Sequence, residues 1–287
     1  MLFWSTAATA FKITLSGMNY IQLLFYSSLA STIILFIILC YDKNSKIIEV
    51  FNPKYFLTNL IRGFVNPFFF YMVIFKAYSI LPAQEAMTLN YIWPITISFF
   101  SVIFLKTKLT FKIFLGLVIA FLGVFIIATR GDFLSLEFHN IYGVFLAVGS
   151  SIIWSTYWIL NLKDERNELT KLFGAFFYGT ILIFIYILFF DEIILQNYKY
   201  LFGAIYIGLF EMGITFYLWL KGLKLSGNKA KTATFVYLSP FLSIIFIAII
   251  LKEKLFAYSI IGLIFILSGI FIQYLYLENG KVKIKLK

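Results

Sequence analysis

The sequence predicts an all-α membrane protein, with about ten transmembrane helices arranged as two inverted five-helix repeats. Three observations lead there. Of the 287 residues, 62% are hydrophobic and 13% are charged, against about 45–50% and about 25% in ordinary soluble domains. A water-soluble globule must show a polar surface, and this composition does not supply one. Ten apolar runs approach or reach the ~20 residues needed to cross the hydrocarbon layer. Finally, motifs of the first half return in the second, several of them 146 residues later.

The runs fall at 2–18, 20–41, 57–80, 83–105, 110–130, 140–161, 170–190, 198–220, 228–251 and 255–277. The first opens at Met1-Leu2-Phe3-Trp4 with no charged stretch ahead of it, so no cleaved leader is expected, and either the helix is short or the start lies further upstream. The second holds the single cysteine, Cys40. One cysteine excludes an intrachain disulfide, and it is expected as a small buried hydrophobe. The third carries Arg62, Asn66 and Lys76, and the fourth opens on Gln84 and Glu85 and contains Pro94. The fifth and tenth each hold two glycines seven apart, Gly116 and Gly123, Gly262 and Gly269, a spacing that suits close helix packing. The sixth carries Trp154 and Trp158, the eighth Glu211 and the ninth Pro240. Strands of a closed barrel would alternate apolar and polar residues, whereas 241–251 is apolar on every side.

The net charge of +11 does not point to nucleic acid, because the lysines lie between the apolar runs rather than in one basic patch. That pattern fits loops facing an anionic cytoplasmic leaflet. With the N-terminus inside, seventeen of the 24 Lys and Arg residues fall on the cytoplasmic side and four (Arg130, Lys199, Lys252, Lys254) opposite, with Lys12, Arg62 and Lys76 within spans. A multi-pass protein of the cytoplasmic (inner) membrane with both termini inside is expected.

The repeat pairs Trp4-Ser5-Thr6 with Trp154-Ser155-Thr156, Phe75-Lys76-Ala77 with Leu220-Lys221-Gly222, and Thr88-x-x-Tyr91-x-x-Pro94 with Thr234-x-x-Tyr237-x-x-Pro240. It also pairs 105–109 (LKTKL) with 251–255 (LKEKL). Five helices per half make the halves inverted, which explains why Lys252 and Lys254 break the charge rule: they mirror Lys106 and Lys108. The domains expected are 1–130, 140–277 and a basic cytoplasmic tail, 278–287. Inverted repeats recur in secondary transporters because two equivalent bundles can exchange conformations around one site.

Ionisable residues within spans cost about 2.5–3.5 kcal/mol near mid-membrane on insertion scales and turn toward the bundle interior or water. Lys12, Arg62, Lys76, Glu85 and Glu211 are such residues. Lys76 and Glu85 stand near helix ends, where snorkelling is an equal reading. Arg62 and Glu211 either pair with one another or face a cavity. Arg62 and Asn66 share a helical face, and Asn66 matches Glu211 at an offset of 145. Gln84, Thr88, Tyr91 and Ser98 form a polar stripe that Thr234 and Tyr237 repeat. Pro94 and Pro240 each free a carbonyl and bend their helix, as a packing kink or as a hinge. Trp4, Trp93, Trp154 and Trp158 belong to interfacial belts or to an aromatic cavity suited to planar, cationic or amphipathic solutes. The candidate substrate-binding residues are thus Trp4, Lys12, Arg62, Asn66, Gln84, Glu85, Thr88, Tyr91, Trp154, Trp158, Glu211, Thr234 and Tyr237. Lys12 and Arg62 suit a substrate carboxylate, and Glu85 or Glu211 a coupling proton.

With these residues in view, the chain resembles a drug/metabolite transporter of the EamA type. The resemblance rests on Trp4 followed by Lys12, on Trp154, on Phe75-Lys76-Ala77-Tyr78 leading into Leu81-Pro82-Ala83-Gln84-Glu85-Ala86, on the Pro94 and Pro240 helices, and on the glycine-spaced helices ending at Arg130 and Tyr276. It covers nearly the whole chain as two copies. It implies ten helices, both termini inside, and a cavity lined by the first, third, fourth, sixth, eighth and ninth. It further implies export or exchange of amino acids, nucleobases, other metabolites or toxic compounds by alternating access. The chain departs from the family pattern in its short start and in Lys252-Glu253-Lys254.

The expected function is a secondary active transporter of small organic metabolites or drugs, acting as an exporter, with an uptake or exchange carrier as the alternative. A channel fits the paired prolines less well than a rocking carrier. An intramembrane enzyme would need a nucleophile–base set or metal ligands. The only histidine, His139, stands with Asp132 and Glu137 in a loop, too sparse for a zinc site. No catalytic residue, metal or cofactor is expected. The partners expected are a small-molecule substrate, the lipid bilayer and a coupling proton, with no nucleic acid, in a monomer or homodimer.

Overall fold

The computed structural model describes residues 1–43, 45–104, 106, 111–132, 140–193, 197–225, 236, 238–278 and 281–284, without the side chains of 113, 223, 224, 273–278 and 281–284. Ten long helices stand among the described residues, besides a single 3-10 turn at Ile47–Glu49: α1 (Leu2–Leu15), α2 (Tyr20–Tyr41), α3 (Pro53–Ile80) and α4 (Ala83–Phe104), α5 (Phe111–Ala128), α6 (Ile141–Leu162), α7 (Glu168–Phe190), α8 (Tyr198–Gly222) and α9 (Leu238–Leu251), and α10 (Ala257–Tyr274). After α10 the chain continues as an antiparallel pair, Leu275–Glu278 with Lys281–Ile284. The helix therefore stops three residues short of the expected 277.

Five helices open on asparagine. Asn19, Asn52, Asn140, Asn167 and Asn197 each accept a backbone N–H of the first turn of α2, α3, α6, α7 and α8. A helix leaves four N–H groups unpaired at its start, and an N-cap oxygen takes one or two of them. With Pro53 at the first position of α3, this cap begins the helix four residues earlier than hydropathy alone indicates.

The halves interleave rather than sit side by side. α1 packs on α9, and its repeat partner α6 packs on α4. α3 packs on α7, and its partner α8 packs on α2. α5 packs on α10, and α2 on α7. Exchanging the halves maps this set of contacts onto itself, as an inverted repeat requires.

Glycine permits the closest of these approaches. A Cβ on Gly63 of α3 would lie 2.5 Å from the Gly179 nitrogen of α7, and one on Gly208 of α8 would lie 2.3 Å from the Ser27 carbonyl of α2. Gly63 and Gly208 are repeat partners. Lys106 and Lys252, also partners, both take a left-handed backbone (φ 55° and 54°).

α3 and α8 each contain a wide π-type turn, at Phe64–Phe69 and Ile207–Gly213. Asn66 lies in the first, with non-helical torsions before the cis Asn66–Pro67 bond, and Glu211 lies in the second. α4 is interrupted at Tyr91 and Ile92. Pro94 lacks an N–H and its ring crowds the carbonyl four residues back, at Asn90, so the break sits between the two.

Cys40 is exposed rather than buried. Leu35 and Leu39 carry the buried face of α2, and one further residue turns about 100° away from it.

Candidate functional site

Two polar networks hold the ends of the bundle. At the face where α1 begins, Arg62 forms a 2.6 Å ion pair with Asp164 and donates to the Leu160 carbonyl at 3.2 Å. Arg166 donates to Asp164 at 2.7 Å and to Asn59 at 2.8 Å. Lys171 donates to the carbonyls of Asn161 and Asp164 and to Glu168. Two buried cations, Arg62 and Lys171, thus take up carbonyls at the end of α6, where the helix dipole favours positive charge. Burial pushes the Asp164 carboxyl up, but hydrogen bonds from Arg166 and the charge of Arg62 outweigh it and hold the carboxyl well below its ordinary range. The pairing considered between Arg62 and Glu211 is not made, because Asp164, just past the end of α6, reaches the guanidinium first.

At the opposite face, Glu253 from the α9–α10 connection accepts the Ala83 and Gln84 N–H groups at 3.1 and 3.4 Å, capping the start of α4 across the halves. Gln84 donates to the Lys254 carbonyl at 2.9 Å and accepts from the Phe256 N–H at 3.0 Å. Glu85 pairs with Arg130 at 3.2 Å and accepts from the Tyr258 hydroxyl at 2.8 Å. Lys12 donates to the Tyr78 carbonyl at 2.8 Å, and its electrostatic partners are Glu253 and Glu85. Lys76 lies over the Tyr20 ring, 4.8 Å from its centre.

Between these networks lies a cavity of about 130 Å³. α1 contributes Trp4, Ala7, Ala8 and Phe11; α3 contributes Phe70, Tyr71, Ile74 and Tyr78; α4 contributes Met87, Asn90, Tyr91 and Trp93. From the second half come Trp154 and Trp158 of α6, Glu211, Phe216 and Trp219 of α8, Val236, and Ser239 and Ser243 of α9. All five tryptophans of the chain are in this wall. Asn90 and Val236, each four residues before its helix's proline, are repeat partners and both line it.

The aromatic wall is mutually packed. The Trp4 indole donates to the Glu211 carbonyl at 3.3 Å and meets the edges of Phe216 and Trp219 at 5.6 and 5.5 Å. Trp154 contacts Phe70, Phe216 and Trp158 at 4.7, 5.4 and 6.0 Å. Glu211 accepts a 3.3 Å hydrogen bond from the Tyr71 hydroxyl on Oε1. Its Oε2, the Trp158 Nε1 and the Ser243 hydroxyl are buried with no hydrogen-bond partner among the described residues.

Of the residues singled out from sequence, Trp4, Tyr91, Trp154, Trp158 and Glu211 converge on this wall. Lys12, Gln84 and Glu85 belong to the network at the opposite face, and Arg62 to the Asp164 network. Asn66 is buried in its π-type turn and Thr88 is buried in α4, neither of them on the wall. Thr234 and Tyr237 lie outside the described residues, as do Glu137 and His139. Sequence reading missed Tyr71, Tyr78, Phe216, Trp219, Ser239 and Ser243. Tyr71 and Tyr78 are seven apart on one face of α3, and Ser239 and Ser243 four apart on α9. Those spacings were available, but apolar neighbours on all sides hide them.

Residues 1–129 and 141–275 each match the model of the EamA-like transporter family. A protein of Archaeoglobus fulgidus named uncharacterized transporter is 22% identical over 272 residues, 94% of each chain. One of the same name from Clostridium kluyveri is 25% identical over 61% of this chain and 58% of its own. A solved crystal structure superposes with a TM-score of 0.65 at 19% identity, covering 94% of this chain and 92% of the other; it supports the fold.

Proposed function

The chain belongs to the EamA-like transporter family, and from that premise we propose that the tryptophan-walled cavity is the substrate site of a secondary active exporter working by alternating access. That the chain is a multi-pass membrane transporter of a small molecule follows from the family. The observation that carries the rest is the wall itself: six helices drawn from both halves, with all five tryptophans turned inward. Membrane proteins normally place tryptophan at the lipid–water interfaces, so concentrating every one of them on a central cavity argues for solute contact.

The residues proposed to touch substrate are Trp4, Tyr91, Trp154, Trp158 and Glu211, joined by Tyr71, Trp93, Phe216 and Trp219. Thr234 and Tyr237 stay candidates as partners of Thr88 and Tyr91. Pro94 and Pro240 are the proposed hinges. Each follows by four residues a cavity-lining residue, Asn90 or Val236, whose carbonyl no proline N–H can pair with.

Orientation follows from the lysine distribution, with both termini cytoplasmic in the inner membrane. Trp4, Trp158 and Trp219 then stand at the cytoplasmic ends of their helices, while the Glu253–α4 cap and the Glu85–Arg130 pair close the outer face. An exporter loads its substrate from the cytoplasmic side, and outward transport is the proposed direction. The two repeats proposed as the chain's domains are 1–130 and 140–277. Glu211 is the proposed coupling carboxylate, because Glu85 is held by Arg130 and Tyr258.

The test is ligand-dependent thermal stabilisation of the purified protein across a metabolite and drug panel, then flux of the best ligand in proteoliposomes. Saturable, gradient-driven flux is expected. Flux that rises without saturation would instead indicate a channel.

A further inference from the structure

We propose that the cavity selects an organic monocation with an aromatic or bulky apolar body, and that Glu211 is its counter-ion. This rests on the reading of the cavity as the substrate site and adds the class of solute.

Glu211 is the only charged side chain among the described residues of the wall. The nearby basic groups are engaged elsewhere: Lys12 on the Tyr78 carbonyl, Arg62 on Asp164, Arg130 on Glu85. One carboxylate oxygen of Glu211 is buried with no partner among the described residues, and the other has a single long bond from Tyr71. A desolvated carboxylate without a cation is costly, and pairing offsets that cost. An anionic solute would set like charges together; a neutral one without an O–H or N–H donor would leave the oxygen unpaired. The walls supply the complement for a cation: Trp4, Trp154, Phe216 and Trp219 line the same cavity as Glu211, and aromatic faces attract cations most where water is excluded.

The same oxygen can hold either a proton or the cation, so cation entry displaces the proton from Glu211. The titratable groups facing it are Tyr71 and Tyr78 from α3 and Tyr91 from α4. α2 presents Ser27 and Ser31 to this part of α8, neither of which titrates.

The test compares three probes on the purified full chain, read by intrinsic tryptophan fluorescence, since every tryptophan is in the wall. Trimethylphenylammonium is the cation, tert-butylbenzene its neutral isostere, and benzoate the aromatic anion. The cation is expected to bind about tenfold more tightly than the isostere and to weaken as pH falls, while the isostere shows no pH dependence. In Glu211→Gln the cation's advantage should vanish while the isostere still binds, which also shows that the variant folds. If the variant binds nothing, the pH dependence in the unaltered chain decides. Equal affinity for cation and isostere, or tighter binding of benzoate, overturns the monocation assignment and leaves the cavity as a substrate site. Failure of all three to bind overturns both.

Discussion

Asp164 is one residue on which many others depend. Arg62 and Arg166 converge on its carboxylate, and its backbone carbonyl takes Lys171. Replacing it by Asn leaves two buried guanidinium groups without their counter-charge. Breaking a buried pair from one side costs about 3–5 kcal/mol, so Asp164→Asn should lower the thermal unfolding midpoint in detergent markedly. Because the folded carboxyl titrates below its ordinary range, its contribution is complete above about pH 4 and is lost as pH falls further. A stability–pH profile should therefore drop on the acid side, and the Asn variant should lose that part of the drop. Glu211 sets the functional counterpart. Glu211→Gln should remove the pH dependence of proteoliposome flux; flux that keeps its gradient dependence would take Glu211 out of the coupling role. Glu211 and Arg62 were both legible in the sequence as charges at membrane depth. Their partners were not, since Asp164 lies in an ordinary-looking loop about a hundred residues from Arg62, and nothing local joins them.

At the scale of elements, the α5–α10 seam is the clearest case of packing that sequence spacing announces. In lipid there is little hydrophobic drive between helices, so small residues that admit backbone contact do the work. A Cβ on Gly123 would lie 2.6 Å from the Gly262 carbonyl, and one on Gly269 would lie 2.4 Å from the Gly116 carbonyl. Gly123→Leu should force the helices apart, at the general cost of overpacking, about 1–3 kcal/mol or more. A Cβ on Gly149 of α6 would meet no described atom within 4 Å, so Gly149→Ala should be neutral or stabilise by up to ~1 kcal/mol. Thermal unfolding of the two variants side by side checks the contrast. The break in α4 was legible from Pro94. The π-type turns of α3 and α8 were not, because a widened turn depends on what packs against it and carries no fixed residue pattern.

For the whole molecule, three sets of contacts at one face join the two halves: Glu253 to the start of α4, Gln84 to the α9–α10 connection, Tyr258 to Glu85. If alternating access opens this face, a crosslink across it stops transport. In a chain with Cys40 replaced, cysteines at Ala83 and Glu253 joined by a short thiol crosslinker should abolish flux and leave ligand binding from the other side intact. Cleaving the linker should restore flux. Undiminished flux in the crosslinked protein would show that this face stays shut through the cycle.

By itself the sequence determined the class of solvent, the ten spans and the inverted repeat, with the charge asymmetry that proposes an orientation. These follow from properties summed along a segment: hydropathy over about twenty residues, charge between segments, and matches at one offset. Only the tertiary structure decided which polar residues meet. Lys12, Arg62, Gln84 and Glu85 were site candidates beside Glu211, yet each ends on a partner from another helix or loop. Of these five, Glu211 alone keeps on the cavity wall an oxygen with no partner among the described residues. In a chain apolar on nearly every face, periodicity does not say which side of a helix turns inward; that depends on which neighbour it packs against.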